Sequence, residues 1–199
     1  MANHWWWRPG WREGRRFYTW HFTFQDAAEV HRIAEAYRQS LADVPGLDLV
    51  PDQWLHLTMQ GLGFVDEVPE KDVRAIVEAA AARLRAVPAF ELALHRPETT
   101  PEAIRWEASP SRPPADVRTA IRAAIAEVWA EVPEPADGFA PHVSIAYSNA
   151  EGPARLVSDA LARVDAKPAR AQIDSVELIV LNRDHRMYEW ERFASVPLG

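Results

Sequence analysis

Two histidines in this chain are each followed, two residues later, by a hydroxyl side chain: His56-Leu57-Thr58 and His142-Val143-Ser144. Free imidazole titrates near pH 6.5, roughly where cells operate, so it can take or give a proton there. A hydroxyl can donate to an oxygen on which charge develops. Two such units facing one another suit the cleavage of a phosphodiester. One of His56 and His142 would act as general base on the attacking oxygen, and the other would protonate the leaving oxygen. Thr58 and Ser144 would donate to the non-bridging phosphoryl oxygens. This chemistry requires no metal and no cofactor.

The spacing matters because residues i and i+2 of a strand point to one face. Residues 53–60 read as a strand with Trp54, His56, Thr58 and Gln60 on one face and Leu55, Leu57 and Met59 buried on the other. Residues 139–147 read likewise, with Ala140, His142, Ser144 and Ala146 outward and Val143, Ile145 and Tyr147 on the core side. That parity argues against a catalytic role for Tyr147. The motif alone is weak, because His21-Phe22-Thr23 also fits it. A single match reads first as a half-buried strand histidine beside a hydroxyl.

Position separates the three matches. Residues 15–24 read as a strand, and a helix follows with Val30, Ile33, Ala34, Tyr37 and Leu41 inward, opened by a capping box of Asp26 and Glu29. After strand 53–60 comes a helix over about 70–86, then strands over 89–95 and 103–108. Pro113 and Pro114 open a third helix, strand 139–147 follows, and Pro153 opens a fourth. The chain closes with strands over 171–181 and 187–196, turning at Asn182-Arg183-Asp184. The order strand, helix, strand, helix, strand thus occurs twice. His56 and His142 each lie between the two helices of their own half. His21 precedes its first helix, and its counterpart, around Trp106, is no histidine. His21 is therefore read as structural, or at most a substrate contact. These elements predict an α+β fold of two pseudo-symmetric lobes, about 15–88 and about 89–199, interleaved in a single domain, preceded by a Trp-rich arm over 1–14.

Two longer stretches carry a resemblance. His56-Leu57-Thr58-Met59-Gln60-Gly61-Leu62-Gly63-Phe64 and Phe139-Ala140-Pro141-His142-Val143-Ser144-Ile145-Ala146 resemble the paired signatures of the 2H phosphoesterase superfamily, in particular its 2′-5′ RNA ligase-like branch. In that family a His-x-Thr motif runs into a Leu-Gly turn and the second motif follows Phe-x-Pro. The resemblance implies a bilobal fold of mainly antiparallel sheet with outer helices and a central cleft. It also implies metal-independent action on 2′,3′-cyclic or 2′-5′ phosphodiesters, with His56 and His142 catalytic. The chain departs from the pattern at Gly61, where an aromatic is common, and at Tyr147 and Ser148, where a basic residue is common.

Composition narrows the partners. A net charge of −7 argues against duplex DNA, whose binding rests on Lys and Arg. It leaves room for a small nucleotide or an RNA end in a local basic pocket. The absence of cysteine excludes thiol nucleophiles and thiolate metal sites. No apolar run is long enough to cross a bilayer, and the first residues do not read as a signal peptide, so a cytoplasmic monomer away from membranes is expected. Arg105 and Trp106 lie on one strand, where Arg105 could line the cleft or stand in solvent. The tryptophans of the arm could stack bases, but a hydrophobic strap is the simpler reading. Two other functions fit the same motifs: a nucleotide- or RNA-end-binding module without turnover, and a 2′-5′ RNA ligase.

Overall fold

A computed structural model describes all 199 residues. Ten strands and four helices run in the order β1 (Phe17–Thr23), α1 (Ala28–Leu41), β2 (Leu47–Leu49), β3 (His56–Phe64), α2 (Glu70–Leu84), β4 (Phe90–Leu94), β5 (Glu98–Thr99), β6 (Ala103–Ser109), α3 (Arg112–Val128), β7 (His142–Ser148), α4 (Arg155–Ala162), β8 (Ala169–Ile173), β9 (Ser175–Asn182) and β10 (Glu189–Pro197). The strands form two antiparallel sheets: β10-β9-β1-β3, and β2-β7-β6-β4-β8 with β5 beside β6. Each sheet takes strands from both halves of the chain. The α+β class and the twofold repeat of strand–helix–strand–helix–strand stand as read from the sequence.

The helices bury the apolar stripe that their periodicity marks. On α1 this is Val30, Ile33, Ala34, Tyr37 and Leu41, and on α3 it is Val117, Ile121, Ala124 and Ile125. Each fully buried aliphatic side chain contributes about 1.5–3 kcal/mol. One continuous core runs from Trp20 and Leu57 of the first sheet, with Leu55 just before β3, to Trp106, Val143 and Ile145 of the second. The motif strands are therefore anchored on the same packed interior.

Four sequence-based expectations need correction. The Asp26–Glu29 capping box does not form: Ala27 occupies the N-cap without a side-chain bond, and Glu29 instead accepts from the Arg170 N–H at 3.0 Å. The strand expected over 53–60 begins only at His56, because Asp52–Trp54 makes a 3-10 turn after Pro51. The strand expected over 171–181 divides at Asp174. Its first part, β8, alternates buried and exposed as an edge strand, while β9 is buried almost throughout between β1 and β10. The short strands β2 and β5 were not anticipated.

The candidate active site

Both motif strands carry a bulge at the residue after the hydroxyl. In the β1–β3 ladder His21 pairs with Thr58 and Trp20 with Gln60, so Met59 has no partner. In the β6–β7 ladder Arg105 pairs with Ser144 and Ile104 with Ala146, so Ile145 has none. A bulge ends the period of two and re-aims the side chains after it. His56 and Thr58, and likewise His142 and Ser144, precede the bulge and share a face as the spacing predicts.

Gln60, beyond the first bulge, does not. It turns away from the cleft. It is fully buried against α3 and its loop, donating to the Pro133 carbonyl at 2.7 Å and accepting from Arg122 at 2.8 Å. Tyr147 is buried in the core as expected, and its ring also forms part of the cleft wall. Trp54 is misplaced by the strand reading. Its ring packs against Trp190 with centroids 4.8 Å apart, and it does not line the cleft.

A cleft of about 430 Å³ lies between the sheets, and His56, Thr58, His142 and Ser144 all line it. The two imidazoles are held alike. His56 Nδ1 donates to the Trp54 carbonyl and His142 Nδ1 to the Ala140 carbonyl, each at 2.8 Å and each two residues back along the chain. Donation from Nδ1 leaves the lone pair on Nε2, the tautomer a general base needs. Burial pushes His56 down to about 4, partly countered by its bond to Trp54, and the charge of His142 lowers it further. Burial also lowers His142, and the nearby Arg105 guanidinium adds to this.

The register reveals a second layer of the repeat. His21 stands opposite Thr58, and Arg105 opposite Ser144. The true counterpart of His21 is Arg105, one position from the Trp106 expected. Both line the cleft. His21 Nε2 lies 3.3 Å from Thr58 Oγ1, and its ring stacks on His56 with centroids 4.5 Å apart and planes 5° apart. Arg105 Nη1 lies 3.5 Å from His142 Nδ1, while its Nε donates to Glu98 at 2.8 Å. Burial, with the nearby His56, keeps His21 neutral.

Sequence reasoning missed part of the wall. His4 stacks on Tyr147, with its ring nitrogens 3.1 Å from a Glu102 oxygen and 2.8 Å from the Tyr188 hydroxyl. The arm is an irregular strap, as expected, with Trp5 bonded to Asp48 at 2.8 Å and Trp11 packed on Phe17 and Phe64, yet Trp6 and Trp7 stay exposed. No local signal marks His4, because these contacts span the chain. No group of three or more His, Asp or Glu side chains is arranged to hold a metal ion.

The departure at Gly61 has a steric cause. The Gly61 N–H donates to Glu134 Oε2 at 3.2 Å, and a Cβ there would meet Glu134 Oε1 at 2.6 Å and the Phe17 ring at 2.9 Å. The Glu134 loop is itself held by Arg118 and Arg122, which donate to the carbonyls of Pro133, Glu134, Pro135 and Ala136. Gly61→Ala is expected to lower Tm by about 2–12 °C, corresponding to about 1–3 kcal/mol of overpacking. An unchanged melting curve would show that the loop yields freely.

The model of the 2′-5′ RNA ligase superfamily matches residues 22–185. The fold is similar to that of TT0787 of Thermus thermophilus, with TM-score 0.70 and 21% identity over 92% of this chain and 97% of that one. It is also similar to Escherichia coli LigT complexed with 3′-AMP, with TM-score 0.68 and 16% identity over 92% and 98% of the chains, and complexed with phosphate, with TM-score 0.65 and 15% identity over the same shares. No curated protein sequence matches the chain. No helix is long and apolar enough to cross a membrane.

Proposed function

The chain belongs to the 2′-5′ RNA ligase superfamily, and from that premise we propose that it is a metal-independent phosphodiesterase acting on a 2′,3′-cyclic or 2′-5′ phosphodiester of a nucleotide or RNA end. The observation that carries the proposal is the matched pair of imidazoles. Both are tied through Nδ1 to the carbonyl two residues back, and both line one cleft beside a hydroxyl. That LigT has been crystallised with 3′-AMP, with ATP and with NADP+ supports a nucleotide-sized ligand for this fold.

In the proposed reaction a diester binds with its phosphorus between the two histidines. One neutral imidazole takes a proton from water as the water oxygen bonds to phosphorus. The other, protonated, gives its proton to the ribose oxygen as the P–O bond breaks, leaving a phosphomonoester and a free hydroxyl. In the free protein both rings are held neutral. The anionic diester favours an imidazolium beside it, while each ring's charge disfavours the other's. One proton shared across two sites is what an acid–base pair requires. Ser144 donates to a phosphoryl oxygen, as does Thr58, whose proton is freed for the cleft when His21 Nε2–H donates to Oγ1.

Turnover of a panel of 2′,3′-cyclic nucleotides and 2′-5′ dinucleotides tests the proposal. Thr58→Ala and Ser144→Ala are each expected to lower kcat by about 10²-fold, the cost of losing one donor to developing charge. No turnover of any diester, together with ligand-induced stabilisation, would favour a binding module.

A further inference from the structure

We propose that Arg183 forms a second anion site in this cleft, one that takes a phosphate of the substrate other than the phosphate cut between His56 and His142. The inference rests on the phosphodiesterase reading and narrows its substrate to a nucleotide or RNA end bearing an additional phosphate.

An arginine in a hairpin turn would ordinarily stand in solvent. Arg183 is only 4% exposed, and it lines the cleft. Its Nη2 donates to the His4 carbonyl at 3.1 Å, while Nε and Nη1 have no acceptor. No carboxylate pairs with it, whereas Arg105 pairs with Glu98 and Arg8 with Glu102. The rings of Trp5, Trp11 and Tyr188 stand 5.5, 5.6 and 5.3 Å from its guanidinium carbon. Aromatic faces return part of the cost of burying a cation, but an uncompensated buried charge remains expensive. Arg8 lines the same stretch, also has a buried Nε without an acceptor, and its like charge disfavours that of Arg183, which Glu102 offsets only in part without pairing with it.

A phosphate is the group that resolves all three features. It brings negative charge between two like charges, and its oxygens match the fork of a guanidinium. The site is built by the arm and the β9–β10 turn, separate from the motif strands. The phosphate can come from the 5′ position of a mononucleotide or from the next linkage of an RNA chain, with the same chemistry.

Calorimetric titration can test this without turnover, so a failure to hydrolyse any diester would sink the phosphodiesterase reading and leave this measurement standing. The probes are adenosine 3′-monophosphate, adenosine 3′,5′-bisphosphate and the dinucleotide ApAp with a 3′-phosphate. In the wild type at least one of the two probes with two phosphates should bind about tenfold more tightly than the monophosphate, the gain of one charge-assisted phosphate contact. That preference should fall towards unity in Arg183→Gln and survive in part in Arg183→Lys. A gain with ApAp alone would assign the phosphate to the RNA chain. The proposal is overturned if neither probe is preferred by the wild type, or if Arg183→Gln weakens all three equally, which would mean that Arg183 serves the scissile phosphate. Should the glutamine variant fail to fold, the wild-type ratio and the lysine variant decide.

Discussion

His56→Asn and His142→Asn are each expected to lower kcat/KM for a 2′,3′-cyclic nucleotide by about 10²- to 10⁴-fold, the usual contribution of a positioned acid or base. Asparagine is the sharper choice at position 56. It keeps a polar group near the Trp54 carbonyl and leaves less of a void beside His21 than alanine would. The loss can then be read as chemistry rather than collapse, with unchanged Tm as the check. Because the two rings act as one acid–base unit, the double variant should be hardly slower than the worse single one. Strictly multiplicative losses would mean that the histidines act independently, for instance by each binding phosphate. A diester turned over at full rate by either variant would remove the two-histidine mechanism.

The sequence made His56, Thr58, His142 and Ser144 legible because strand parity is local and holds up to the bulges. It failed one residue later. Nothing in Met59 or Ile145 announces an unpaired position, yet the first takes Gln60 out of the cleft, and past the second the buried Tyr147 ring also forms part of the cleft wall. The helix periods were equally legible, since burial of one stripe needs no knowledge of the partner. The division of 171–181 was not, because the assignment of β8 and β9 to different sheets depends on β4 and β1, remote in sequence. The partnership of His21 with Arg105 is of the same kind. It exists in the ladder register, and counting along the chain placed it one residue away. His4 and Arg183 lie furthest from local signals, in an arm and a turn that meet only in the folded chain.

Acid is expected to destabilise the protein before its carboxylates protonate. Burial holds His4 and His56 at about 4 and His21 well below its ordinary value, with His142 also lowered. In the unfolded chain each takes a proton near pH 6.5, roughly its free value. Between about pH 6.5 and about pH 4 the unfolded chain therefore binds more protons than the folded one, and stability falls as pH falls. Each such histidine contributes a slope of about 1.4 kcal/mol per pH unit, so His4, His21 and His56, the three held lowest, together give about 4 kcal/mol per unit, or roughly 8–16 °C in Tm. Above about pH 6.5 these groups are neutral in both states and the slope vanishes. The depressed carboxylates of Glu35, Asp66 and Glu102 act with the same sign but only from their ordinary values downward, at the acid end of this window and below it. His185 has the opposite sign, since its bond to Glu189 raises it and its small contribution is lost as pH rises. Thermal unfolding between about pH 7 and about pH 4, with the imidazole resonances followed by NMR, measures both quantities. A flat Tm over this range, or a His56 resonance titrating near its free value, would show that water reaches the rings. Inorganic phosphate should flatten the acid limb, because an anion between His56 and His142 favours the protonated rings that burial alone disfavours.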